Sequence, residues 1–343
     1  MSGTITADAT VASYLKIRLE QLGLDRMFGV AGNYTAALLD TILADHGSPI
    51  TISSNPNEIC AGYAADAYAR YQGLGALYVT YSVGAFSLLN TIAGSYTERV
   101  PVLLVNGAPT NKEASVEQNA GLLYSHTTGY EMVDIHMFRP ITAAAERITN
   151  ARQAPYQIDS VLTAMLTERR PGYLEVAEDV WRAPCCTPEG TLSSGAGDYV
   201  TSSETDQAVD ATMALLSIRP RIVLWAGVEL QRFGLQDEFL ALLDAANGHS
   251  DRDDPIRFVT TASSKSVVSE DHPLFEGCVT LRTGEIRALV GDDGVLVGLG
   301  GWTTSKNTGS ENIRGPGTIL AANGNVMIGA QLFPLVDLAS YIA

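Results

Sequence analysis

Two α/β domains, each built on a doubly wound parallel sheet, are what this sequence predicts. Its 343 residues exceed what one hydrophobic core ordinarily fills. Short apolar runs bounded by turn residues alternate with segments of helical periodicity, the pattern of buried parallel strands joined by crossover helices. A stretch rich in Pro, Gly, Ser and Thr divides that alternation in two.

In the first domain, residues 1–183, the strand candidates are Thr51-Ile52, Ala76 to Thr80, Val102 to Val105 and Tyr173 to Val176. Residues 184–206 read as a linker, with Pro184, Pro188, Gly190, Gly195 and Gly197 among them. The second domain, 207–343, resumes with Arg221 to Gly227, Arg257 to Thr260, Val295 to Gly300 and Thr318 to Ala321. The run at 295–300 ends in glycines, but no G-x-G-x-x-G leads into a helix and no phosphate-binding G-x-x-x-x-G-K-[ST] occurs, so a structural role is expected there. Gly291-Asp292-Asp293-Gly294 reads as a turn. A G-x-S-x-G nucleophile elbow is also missing, which removes the hydrolase reading of an α/β chain this size.

Acidic residues outnumber basic ones 38 to 22, a formal charge of −16, which argues against a nucleic-acid or anionic-membrane surface. No apolar run approaches about 18 residues and the N-terminus lacks a signal-peptide pattern, so a cytoplasmic protein is expected. The four cysteines (Cys60, Cys185, Cys186, Cys278) form no C-x-x-C pair, and the five histidines form no H-E-x-x-H. No metal site is expected on this chain.

Residues 55–70 hold the most informative segment. Asn57 suits a helix N-cap, which places Glu58 in the first turn, where the helix dipole tolerates a carboxylate. Ala61, Gly62 and Ala65 keep the helix narrow enough for a backbone or a ligand to approach closely. Asp66 and Arg70 are spaced to pair along the helix surface. Trp181, Trp225 and Trp302 read as core or interface residues.

This segment resembles the glutamate-bearing segment of the thiamine diphosphate (ThDP) dependent decarboxylases, in the pyruvate and indolepyruvate decarboxylase branch. Tyr14 to Leu24 and Phe28 to Tyr34 resemble that family's opening helix, strand and loop. Tyr81-Ser82-Val83-Gly84, Asn90 to Val102 and Leu122 to Gly129 follow in its order and spacing. Ser269 to Gly277 and Leu299 to Gly309 resemble its middle domain, so the likeness covers essentially the whole chain.

The resemblance implies a pyrimidine-binding domain followed by a middle domain, without the third domain that binds the cofactor's diphosphate through Mg2+. That domain's Gly-Asp-Gly signature has no counterpart here. ThDP would therefore be shared with a second, diphosphate-binding subunit carrying the Mg2+, in an α2β2 assembly. A regulatory or structural subunit without turnover, or a piece of a longer enzyme, is the competing expectation.

By the same resemblance, Glu58 is the carboxylate set against the pyrimidine ring nitrogen, and Ala31-Gly32 with Thr80 to Val83 line the ring. Simple decarboxylases of the family place an aspartate after the first strand and two adjacent histidines further on. Here those positions are Asn33 and the pair Ser125-His126. Asparagine moves no proton and serine is a poor acid, so protonation of the decarboxylated intermediate would be slowed, by about 10²- to 10⁴-fold per group. The expectation is capture of that intermediate by a second carbonyl, giving an acyloin from a 2-oxo acid and a carbonyl acceptor. Simple decarboxylation to an aldehyde is the alternative.

Overall fold

A computed structural model of the chain describes residues 9–130, 132–192, 202–248 and 254–343. The chain divides into two compact units, Met1–Gly195 and Ala196–Ala343. Both carry the α/β architecture with parallel sheets that the sequence predicts.

The first unit contains β1 (Ala9–Thr10), β2 (Arg26–Gly29), β3 (Thr51–Ser54), β4 (Gly75–Thr80), β5 (Val102–Ala108), β6 (Ala144–Ile148), β7 (Gly172–Ala177) and β8 (Pro184–Cys185). Six of these form an all-parallel sheet in the order β3-β2-β4-β5-β7-β6. Side chains alternate between two cores, as a pleated strand requires. Ala76, Tyr78, Leu103 and Val105 enter one with Leu15 and Leu162, while Leu77, Val79 and Leu104 enter the other with Ile92 and Phe138. Burial on both faces is why β4 and β5 read as continuous apolar runs.

Chain order reverses direction between β2 and β4: β3 lies on one side of β2 and β4 on the other. The crevice beyond the carboxyl ends of those two strands is the switch point where open α/β sheets take ligands. Helix Glu58–Gln72 begins beside it. Asn57 Oδ1 accepts the Cys60 N–H at 2.9 Å, the expected cap, and Gly73 ends the helix at φ 88°. A β-carbon at Gly62 would lie 2.7 Å from Leu88 and 2.9 Å from Thr91, so the small-residue face is spent on packing against helix Leu89–Thr97. Asp66 pairs with Arg70 at 2.6 Å and also accepts a hydrogen bond from Ser95.

Gly107 on β5 is the other close approach. A β-carbon there would stand 2.5 Å from the Tyr34 carbonyl oxygen and 2.8 Å from Thr35. Gly107→Ala is expected to cost about 1–3 kcal/mol by overpacking and to push the 32–35 loop outward. Urea unfolding checks this, and an unchanged midpoint would contradict it.

The second unit holds β9 (Ile222–Ala226), β10 (Arg257–Thr260), β11 (Phe275–Cys278), β12 (Val295–Leu299), β13 (Thr318–Ala322), β14 (Asn325–Ile328) and β15 (Gln331–Pro334). Their order is β11-β10-β9-β12-β13-β14-β15. The first five strands of that order run parallel, whereas β14 and β15 pair antiparallel. The sequence reading stops at Ala321 and misses this extension. Its cause is Asn323-Gly324, both at positive φ (55° and 71°), the two-residue loop that a tight hairpin favours. The glycines after β12 serve backbone packing: a β-carbon on Gly227 would overlap Gly300 and Gly301. Beside them Trp302 Nε1 donates to the buried Glu229 carboxylate at 2.8 Å.

The expected linker, 184–206, is structured at both ends. Pro184–Cys185 pairs with Ala9–Thr10, and a helix starts at Ser203, capped by Ser202. Turn-forming composition did not prevent two short segments from finding backbone partners. Residues 193–201, in its centre, lie outside those described. No helix among the described residues is long and apolar enough to cross a membrane.

Candidate active site

Four residues converge beyond the ends of β2 and β4. Thr80 closes β4, Gly32 lies in the loop after β2, Gly84 follows β4 by four residues, and Glu58 opens its helix. A β-carbon at Gly84 would lie 3.5 Å from Glu58 Oε1 and 3.0 Å from Thr80 Cγ2. One at Gly32 would stand 2.6 Å from Thr80 Cβ. Thr80 Oγ1 is buried without a hydrogen-bond partner. Gly32 and Gly84 thus let their loops close on Thr80, which brings one orphaned hydroxyl and one half-buried carboxylate together, polar groups of the kind a nitrogen heterocycle engages. Ala31 and Val83, the other residues expected to line it, are exposed at its edge.

A second group forms around Tyr34. Asn33, exposed, opens the 3-10 turn Asn33–Thr35 that follows β2. Buried Tyr34 donates its phenol to the Ser125 carbonyl at 3.1 Å and meets the His126 ring edge-on, centroids 6.4 Å apart. Its own carbonyl accepts from Trp181 Nε1 at 2.9 Å. Burial raises the Tyr34 phenol pKa, keeping it a donor. Ser125 and His126 are thus tied to the ring of Tyr34, the residue that follows Asn33. His126 holds φ 72°, and Thr127 Oγ1 anchors the same loop on Glu117 at 2.8 Å.

Beneath these groups lies a polar network that sequence reasoning missed. Asp134 accepts from Ser82 N–H at 2.7 Å, Ser82 Oγ at 2.8 Å and Asn106 Nδ2 at 2.9 Å. Asn106 also donates to Tyr173 Oη at 2.8 Å, and Tyr173 donates to Glu175 Oε2 at 2.9 Å. Arg147 Nε stands 2.9 Å from Glu175 Oε1 as a charge contact rather than an aligned hydrogen bond. Burial raises the Asp134 pKa, against the pull of its three donors. Burial also lifts Glu175 from its ordinary 4.5 to about 7, with Arg147 opposing the shift and Asp134 adding to it.

That shift has a sign. The folded chain holds the Glu175 proton more tightly than the unfolded chain does, so this contribution to stability is full below about pH 4.5 and lost as pH rises to about 7. The loss is of order 3 kcal/mol. Urea unfolding at pH 5 and pH 8 should show the parent losing more stability than Glu175→Gln. Equal losses would remove Glu175 as the source.

Residues 9–136 match the family described as thiamine pyrophosphate enzyme, N-terminal TPP binding domain. The first unit therefore carries the N-terminal domain of the thiamine pyrophosphate enzymes. Within that class its relatives are decarboxylases, as the sequence resemblance implies. An alpha-keto-acid decarboxylase of Mycobacterium leprae is 35% identical over 86% of this chain and 50% of its own length. A probable pyruvate decarboxylase of Schizosaccharomyces pombe is 32% identical over 78% of this chain and 45% of its own. Pyruvate decarboxylase 3 of Oryza sativa subsp. japonica is 32% identical, over 79% and 45%. The chain spans about half the length of the curated relatives it matches.

Proposed function

We propose that this chain is the pyrimidine-side subunit of a two-chain ThDP enzyme that decarboxylates a 2-oxo acid and joins the remaining fragment to a carbonyl acceptor, forming an acyloin. When bound, ThDP supplies a carbon nucleophile and an electron sink. Glu58 would hold a proton against the pyrimidine nitrogen, and Gly32, Thr80 and Gly84 would let the ring reach it. The 2-oxo acid class rests on the names of the relatives, pyruvate and alpha-keto-acid decarboxylases.

The observation that carries carboligation is the pairing around Tyr34. Asn33 precedes Tyr34 in the chain and the Ser125 carbonyl accepts its phenol hydrogen bond, and neither Asn33 nor Ser125 delivers a proton at neutral pH. His126, against the same ring, is able to deliver a proton, which is what favours the second reading, simple decarboxylation to an aldehyde. Retention of Glu58 speaks against a subunit without turnover.

The face around Glu58 supports a partner. Ile59, Tyr63 and Val83 are 47%, 51% and 57% exposed, an apolar surface suited to a covering domain. With a formal charge of −16, this chain suits a partner that brings the Mg2+ needed by a diphosphate. An α2β2 assembly would then hold two sites. Native mass spectrometry of the protein isolated from its own cells, in ThDP and Mg2+, tests this. Recovery with a second chain and bound cofactor is expected; recovery alone and without cofactor would overturn the catalytic reading.

A further inference from the structure

Ser82 sits in a backbone conformation that serine rarely adopts, φ 49° and ψ −86°, and it is fully buried. Such strain persists only where surrounding contacts over-determine it. Those contacts come from a single side chain, since both Ser82 donors, N–H and Oγ–H, end on the two oxygens of Asp134. Asp134 is itself buried on helix Val133–Phe138, where an apolar residue would avoid the desolvation of a carboxylate. Its remaining acceptor capacity goes to Asn106, which Tyr173 and Glu175 hold in turn.

The strained residue is placed where it matters. Ser82 leads directly into the helical turn Val83–Phe86 and accepts the Phe86 N–H at 2.8 Å. The second residue of that turn is Gly84, the one that faces Glu58 Oε1. We propose that Asp134 is a positioning residue for the Glu58 site: it clamps Ser82 in a strained turn and so sets the distance between the Val83-Gly84 backbone and the Glu58 carboxylate. This rests on the proposed role of Glu58, but the clamp itself is testable without any cofactor.

The test is hydrogen exchange on the full chain, parent against Asp134→Asn, Ser82→Gly and the double variant. An amide in place of the carboxylate leaves one oxygen for three donors, so amides 82–86 should lose at least about tenfold in protection while β5 and β7 hold theirs. Glycine adopts the Ser82 backbone without strain. Asp134→Asn should therefore cost the turn less protection in the Ser82→Gly background than in the parent. Equal costs in both backgrounds, or an unchanged turn, would overturn the clamp. Should Asp134→Asn fail to fold, Ser82→Ala, which loses only Oγ, decides in the same way: protection at 82–86 falls or the proposal does.

A second readout, exchange of the ThDP thiazolium C2 proton in the assembled enzyme, separates this proposal from the one it rests on. If Glu58→Gln leaves that exchange unchanged, the Glu58 assignment fails and the clamp stands or falls on protection alone. If Glu58→Gln slows it and Asp134→Asn does not, the positioning role is overturned.

Discussion

Glu58→Gln is expected to slow exchange of the cofactor's C2 proton in the assembled enzyme by about 10²- to 10⁴-fold, the usual range for one acid–base group. Glutamine keeps the size and the hydrogen-bonding reach of glutamate but holds no transferable proton. The fold should barely register the change, because Glu58 is half-exposed at a helix terminus capped by Asn57. Loss of a first-turn carboxylate costs about 0.3–1 kcal/mol. NMR of quenched samples reads the exchange directly and needs no knowledge of the substrate. Unchanged exchange with bound cofactor would remove Glu58 from the chemistry.

The double variant Asn33→Asp, Ser125→His should shift the product ratio from acyloin toward free aldehyde by about 10²-fold or more, each restored acid contributing in the range usual for general acids. Both positions are exposed, so the substitutions should leave stability within about 0.5 kcal/mol. Product analysis with a 2-oxo acid and an added aldehyde acceptor measures the ratio. Unchanged partitioning in a folded, cofactor-loaded variant would defeat the carboligation reading and leave simple decarboxylation in its place.

Local signals made much of this molecule legible. Runs such as Ala76 to Thr80 announced strands buried on both faces, and the cap at Asn57 announced the helix that carries Glu58. Asn323-Gly324 is an equally local hairpin signal, and it marks the antiparallel return of β14 along β13. The buried network was harder. Asn106, Asp134 and Glu175 come from three separate elements, and nothing in one stretch of chain links them. One hint existed: a glutamate in the middle of Tyr173-Leu174-Glu175-Val176 contradicts an otherwise apolar buried strand and demands a partner. The contact of Tyr34 with Ser125 and His126 depends on tertiary closure and leaves no trace in spacing.

Tyr34 also bears on how such a site can change. It is buried, fastened to Trp181 on one side and Ser125 on the other, and pressed against Gly107, while its neighbour Asn33 and the side chains of Ser125 and His126 face outward. Anchor and reagent are therefore different residues. A lineage, or a saturation library, can exchange the proton-handling groups at 33, 125 and 126 while the ring that spaces them stays put, so new reaction outcomes can be sampled without first rebuilding the scaffold.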